Sequence, residues 1–333
     1  MMNEDQFPTK NVHLLEEYLP YSTVKKIQYG HEVSVYIPYK YDINFRIYDL
    51  TPGVSIVINH SILQDEYKDH NRVHWIDNPA DLLIINYHVK GQCKIRVGED
   101  KYMFIKNNDI NLYTKDNTEK NFSYLDENLI LHILINKKQL NSSVPVYNKY
   151  FMEMINELFN IVENNESVVF KSNEKIDEII NEIINFKPIN PVSDVIHLQL
   201  KTFEIILNLY QTEIKDEKIT KRTYTDTQIR VVRNIKNTLT RDISSYVSLD
   251  VLSASYGINL TILKNCFKDM YGRPLYSWYR EYKFQRAQEL IKNTDYPMSK
   301  IAHMVGYKSS SKFSKAFKQE IGVLPSIYRK NNQ

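Results

Sequence analysis

The densest chemistry in the chain lies between residues 299 and 322. Phe313, Phe317 and Ile321 recur at i, i+4 and i+8, so a helix there would bury one apolar stripe. Its other side then carries Ser311, Lys312, Ser314, Lys315 and Lys318, a row of short hydroxyls and ammonium groups. A slim, polar, cationic helix suits a polyanion, and a DNA groove in particular. Just upstream, Ile301, Ala302 and Val305 share a helical face. Gly306 interrupts that face where a tight turn needs positive φ, and Ser309 or Ser310 is placed to cap the next helix. The pattern reads as a helix-turn-helix.

A second copy lies upstream, in residues 248–268. Gly257 marks its turn, Asn259 can cap its second helix, and Thr261, Lys264, Asn265 and Lys268 face outward. Both copies end Phe-Lys with Gly five residues after the Phe (Phe267 to Gly272, Phe317 to Gly322), and Pro274 and Pro325 follow. A helix predicted over Leu275 to Lys292 joins them and is ~27 Å long at 1.5 Å per residue. That length sets the reading helices apart by something near one DNA turn, ~34 Å.

Charge agrees with this placement. Net charge over the chain's 333 residues is only +3, but from Thr223 onward 18 Lys and Arg face 8 Asp and Glu, a net +10. The preceding part carries 25 against 32, a net −7. A basic segment attached to an acidic one is the electrostatic footprint of a polyanion-binding domain beside a non-binding one.

Other chemistries find less support. No nucleophile elbow, P-loop or dinucleotide motif is present, and Gly is scarce at 8 copies, so no catalytic residue is assigned and an enzyme is not expected. The close metal-ligand pairs are His70/His74 and His31/Glu32, and the first falls in a segment that reads as loop; neither a metal nor a cofactor is expected. Cys93 and Cys266 are too far apart in sequence to suggest a disulfide framework, and Cys266 reads as a small core residue. No signal peptide and no ~20-residue apolar run appear, which predicts a cytoplasmic protein without a membrane partner. Tyrosine is abundant, 25 copies, which codon bias or an aromatic surface would each explain.

The rest of the chain must position these helices. Within a predicted domain of residues 1–140, the chain from about Thr23 to Asn136 alternates in a β pattern with tight turn signals such as Thr51-Pro52-Gly53 and Lys90-Gly91-Gln92, which predicts an antiparallel sandwich or barrel able to hold a small ligand. Tyr36, Arg46, Tyr87, His88 and Arg96 are candidate contacts, although alternation leaves inside and outside open. Residues 1–22 suggest no function. Residues 141–214 read as helices, either a dimerisation surface or a cover for the barrel's open end. Residues 215–225 read as a linker. Residues 226–333 complete the α-helical domain, starting from a capping box at Thr225 to Gln228.

With these residues in view, the C-terminal region resembles the DNA-binding domain of the AraC/XylS family of transcription regulators. The signature runs Ile301-Ala302, Val305-Gly306-Tyr307, Ser311, Phe313, Phe317-Lys318, Gly322, Pro325 and Tyr328-Arg329, and the first copy matches through Leu252, Leu263, Phe267-Lys268 and Gly272. Lys283 and Ser309 depart from the family's usual Arg and acidic or Asn residues. The resemblance implies that Thr261, Lys264 and Asn265, with Ser310, Ser311, Lys312, Ser314 and Lys315, face bases, and that Lys268, Lys318 and Arg329 meet phosphates. Residues 1–140 are more loosely similar to the family's cupin-like sensor barrels, including those of siderophore-responsive regulators. The implied fold is α+β and multidomain. The implied protein is a homodimeric regulator of double-stranded promoter DNA. It would more often activate than repress, working with RNA polymerase when it activates. Its N-terminal domain would sense a small-molecule effector or another cue, or would only dimerise.

Overall fold

The computed structural model describes residues 22–27, 30–37, 41–63, 81–97, 99–114, 122–124, 127–143, 148–165, 168–212, 222–244 and 248–332. The chain forms two compact units, residues 1–223 and 224–333. The first contains strands β1 (Ser22–Ile27), β2 (Gly30–Ile37), β3 (Tyr41–Thr51), β4 (Val54–Leu63), β5 (Leu82–Lys90), β6 (Cys93–Arg96), β7 (Tyr102–Ile105), β8 (Asp109–Thr114), β9 (Phe122–Tyr124) and β10 (Asn128–Asn136). Helices α1 (Lys137–Ser143) and α2 (Asn148–Asn165) follow, then β11 (Val168–Lys171), α3 (Glu174–Ile184) and α4 (Pro191–Gln211).

The strands do not close into the expected barrel. Among the described residues they form an eight-stranded antiparallel sheet, ordered β1-β2-β3-β4-β10-β5-β8-β11, and a three-stranded sheet, ordered β7-β6-β9. Closure would need the edge strands β1 and β11 to pair, and among the described residues each bonds to a single neighbour. β5 pairs with β8, from Leu83 opposite Thr114 to Tyr87 opposite Ile110, and the four-residue strands β6 and β7 between them form a hairpin that pairs with β9 instead. A second correction concerns residues 141–214, which are not purely helical. Val168–Lys171 adds to β8 at the sheet edge, Val168 opposite Leu112 and Lys171 opposite Asp109.

Side-chain alternation divides the larger sheet into two faces. Tyr87 donates from Oη to Asp177 Oδ1 of α3 at 2.7 Å, so the face bearing Tyr87 is the helix side. The isoleucines of α3, Ile176, Ile179, Ile180 and Ile183, spaced at helical period, are buried in the same core as Ile155, Leu158 and Val162 of α2 and Leu198, Ile205, Ile206 and Leu209 of α4. With no closed barrel there is no open end for the helices to cover; they pack on one face of the sheet instead. They cover the sheet, yet α4 leaves a second apolar row exposed: Ile196, Leu200, Leu207 and Tyr210. Among the described residues no helix is long and apolar enough to cross a membrane.

The second unit is all helical: α5 (Asp226–Arg241), α6 (Leu249–Ser255), α7 (Leu260–Tyr271), α8 (Leu275–Asn293), α9 (Met298–Met304), α10 (Ser310–Ile321) and α11 (Pro325–Asn332). Of the expected linker 215–225, residues 215–221 lie outside the described residues. Its last residues already belong to this unit. Tyr224 is buried and its hydroxyl donates to Asp269 Oδ2 at 2.6 Å, and Thr225 opens α5 through a reciprocal capping box with Gln228. Ile229, Val232, Ile235 and Leu239 form the buried stripe of α5. Phe284, Ala287 and Ile291 of α8 pack with Ile301, Ala302 and Val305 of the α9 segment and with Phe313 and Phe317 of α10 in one cluster.

Candidate nucleic-acid interface

Two helix-turn-helix pairs, α6–α7 and α9–α10, repeat one construction in detail. In the first, Gly257 turns the chain with φ 63°, and Asn259 accepts from the amides of Thr261 at 2.8 Å and Ile262 at 3.3 Å. In the second, Gly306 turns it with φ 80°, and Ser309, rather than Ser310, accepts from the Lys312 amide at 3.2 Å. Both second helices end on a left-handed glycine, Gly272 and Gly322. The two turn glycines differ in what surrounds them. A Cβ at Gly257 would meet nothing within 4 Å, whereas one at Gly306 would lie 2.8 Å from Ile243 O and 2.9 Å from Ser244 O. Only the second turn glycine is hemmed in by the rest of the unit.

The capped helices turn the expected residues outward. Thr261, Lys264 and Lys268 on α7 are exposed and Asn265 is half-buried. On α10, Ser310, Ser311, Lys312, Lys315 and Lys318 are exposed and Ser314 is half-buried. Behind them Leu263, Cys266 and Phe267 of α7 and Phe313 and Phe317 of α10 are fully buried. Burial pushes the Cys266 thiol up to about 12, so it is an inert core group. Arg329, expected at a phosphate, is half-buried. Its Nη2 donates to Tyr296 O at 2.7 Å and Thr294 O at 3.5 Å, so that nitrogen holds the α8–α9 connection.

Nearby carboxylates are drawn into other partnerships. Glu320 pairs with Arg280 at 3.0 Å, Glu281 with Arg273, Glu289 with Arg286, and Asp269 accepts from Tyr224. The ammonium groups of α7 and α10 therefore present positive charge that neighbouring acids do not cancel, which is the requirement for drawing a phosphate backbone.

The candidate ligand contacts of the first unit scatter. His88 and Tyr87 point to opposite faces of β5, and Tyr87 serves α3. Arg96 donates to the backbone of Glu99 in a local turn, and Arg46 is half-buried beside Tyr48. The side chains of Tyr36 and His31 lie outside the described residues, as do His70 and His74. Among the described residues no cluster of three metal-ligating side chains occurs.

The face opposite the helices holds a buried polar cluster of which His88 alone was among the expected contacts. His132 of β10 lies directly opposite Asn86 of β5, and its Nδ1 is 2.7 Å from Asn86 Oδ1. Asn86 Nδ2 donates to the hydroxyl of Tyr113 on β8 at 3.3 Å, and His88 Nε2 lies 4.0 Å from Cys93 Sγ. Burial, with the nearby His88 charge, pushes His132 down to about 3, so it is neutral at pH 7 and donates from Nδ1. Single polar residues inside otherwise apolar strands, Asn86 and His88 in LLIINYHVK and His132 in NLILHILIN, were the available signal.

A family profile described as a helix-turn-helix domain matches residues 252–331. Over 108 residues the chain is 26% identical to the HTH-type transcriptional activator AarP of Providencia stuartii, covering 32% of this chain and 80% of AarP. Over 81 residues it is 31% identical to the HTH-type transcriptional regulator ExsA of Pseudomonas aeruginosa, covering 24% of this chain and 29% of ExsA. Among solved structures, the C-terminal domain of AraT, a response regulator from Geobacillus stearothermophilus, aligns at 26% identity and a TM-score of 0.29, over 30% of this chain and 84% of that one. Several of the curated relatives are spanned over only 18% to 37% of their own length.

Proposed function

Because its C-terminal region is an AraC-type helix-turn-helix domain, we propose that this chain is a sequence-specific DNA-binding transcription regulator rather than an enzyme. The observation that carries the reading is the duplicated pair α6–α7 and α9–α10, each with a capped second helix whose outer face is polar and cationic. Thr261, Lys264 and Asn265 of α7, and Ser310, Ser311, Lys312, Ser314 and Lys315 of α10, face bases. Lys268 and Lys318 meet phosphates, as does the part of Arg329 that the loop carbonyls leave available. Helix α8, 19 residues and about 28 Å long, spaces α7 and α10 for successive major grooves. A genome-wide binding map of the intact protein, followed by footprinting, tests this. The expected result is a recurrent operator protected in two major-groove segments about one turn apart, ~10 base pairs. Enrichment without any shared sequence overturns it.

The protein acts in the cytoplasm, as a homodimer and as an activator that works with RNA polymerase. Activation is supported by the relationship to AarP, described as an activator. Dimerisation is supported by the exposed row on α4. Ile196, Leu200, Leu207 and Tyr210 are 49%, 63%, 39% and 45% exposed, and their three-and-four spacing makes a seam for a second copy of the same helix. Leu200→Asp will convert the dimer to monomer in sedimentation without lowering the melting temperature. A dimer that survives the change removes α4 from the interface.

The first unit senses a small-molecule effector. The buried Asn86–His132–Tyr113 network supports this, because burying so many polar groups costs stability that an apolar interior would not. A switch also requires that the effector bind one arrangement of the protein better than another. The rival reading is a unit that only dimerises. Calorimetry of the intact chain against a broad metabolite set, with and without operator, separates the two.

A further inference from the structure

The second unit contains a cavity of about 500 Å³. One face of α8 supplies Tyr276, Tyr279, Arg280 and Lys283, Tyr307 comes from the turn after α9, and Lys264 of α7 and Ala316 of α10 line it from the two reading helices. The cavity therefore lies between the two helix-turn-helix pairs. Its volume is that of a small-ligand site, and three aromatic rings with a few polar groups are the usual lining of one.

Its charge is unusual for an interior. Lys283 is only 8% exposed, and its ammonium lies 4.6 Å from the centre of the Tyr279 ring. At Gly306 a Cβ would come within 2.7 Å of Lys283 Nζ and within 3 Å of the carbonyl oxygens of Ile243 and Ser244. The ammonium, the chain after α5 and the turn of the second pair thus meet at one point. Burial holds the Lys283 ammonium below its usual range, and the charge of Asp242 offsets part of that. Arg280, the other α8 cation lining the cavity, is already paired with Glu320 at 3.0 Å. One carboxylate, Asp250 of α6, also lines the cavity, from an exposed position.

We propose that this cavity binds a small planar organic anion, an aromatic carboxylate, with its charge on Lys283 and its ring among Tyr276, Tyr279 and Tyr307. An anion of this kind completes the counter-charge that Asp242 supplies only in part to the buried ammonium, and its ring packs among the three tyrosines. Because the walls include both reading helices, an occupied cavity holds α7 and α10 at one spacing, and operator affinity changes with it. That last step rests on the DNA-binding reading; the binding of the anion does not.

Calorimetry on the intact chain with 2-naphthoate tests the site. We expect one naphthoate per chain, and binding at least ten-fold weaker for the uncharged 2-naphthalenemethanol. Lys283→Met should weaken naphthoate ten-fold or more. Tyr276→Ala, at a position 62% exposed and so safe for folding, should weaken both compounds. Absence of binding up to millimolar naphthoate, or binding that neither substitution alters, overturns the proposal. Operator titration with and without saturating naphthoate then reads the coupling. Affinity that shifts several-fold in the parent and not in Lys283→Met supports it, and unchanged affinity with naphthoate bound refutes the coupling while leaving the site standing. A chain that binds naphthoate but no operator would fail the DNA-binding reading alone.

Discussion

Phe317→Ala will destabilise the C-terminal unit by about 3–5 kcal/mol, the cost of emptying a fully buried aromatic site. Phe317 has no exposed surface, and three rings surround it: Phe313 at 5.6 Å, Phe284 at 5.9 Å and Tyr328 at 5.7 Å. These neighbours belong to α10 itself, α8 and α11, so no single helix can shift to refill the space without losing its other contacts. The cost should therefore fall toward the upper part of the range. Hydrogen exchange in the intact chain localises it. Amides of α9, α10 and α11 should lose two or more orders of magnitude in protection, while those of β4, β5 and β10 keep theirs. Unaltered protection in α10 would remove Phe317 from the buried stripe. Phe317→Leu, which keeps most of the volume, should recover much of the loss.

The second large effect concerns operator affinity. Lys312 and Lys315 are exposed on α10, and no carboxylate among the described residues pairs with either. Removing both will leave the fold untouched and weaken operator binding by about 2–6 kcal/mol, from ~1–3 kcal/mol for each base-contacting side chain. Because the two sit one helical turn apart, the single substitutions are needed to apportion the sum. If the lysines meet only phosphates, the loss will be the same on operator and random duplex, and the salt slope will fall by about two. Unchanged affinity on both would take α10 out of the interface. The same chemistry predicts where sequence is read most sharply. The proposed reading face of α10 offers serines and lysines, whereas α7 adds Asn265, whose amide can pair bidentately with adenine, so substitutions there should relax specificity more.

How legible this protein was depended on the range of the interactions. The caps and turns of the second unit were readable because each is decided within six residues. Thr225 with Gln228, Gly257 with Asn259 and Gly306 with Ser309 all appear at their expected positions. Helix faces were readable for the same reason, since period alone aligns Phe313 with Phe317 and Ile176 with Ile179, Ile180 and Ile183. β11 was not, because four residues between two helices carry no period and acquire a partner only from β8, more than fifty residues earlier. Nor could alternation say which face of β5 was inside: it separates Tyr87 from His88, but only Asp177 on α3 identifies the helix side.

The chain's local grammar was thus enough to specify the second helices of the two pairs, their caps and the cationic residues they turn outward. Short-range sterics and hydrogen bonding decide those features wherever the segment finds itself. Tertiary structure alone decided three others. It left the sheet open, because the edge strands β1 and β11 each found one neighbour and not each other. It brought His132 onto Asn86 across 46 positions. It also buried Lys283, because α8 lies between the two helix-turn-helix pairs. Each depends on which distant segment fills the neighbouring space, and nothing within a few residues encodes that choice.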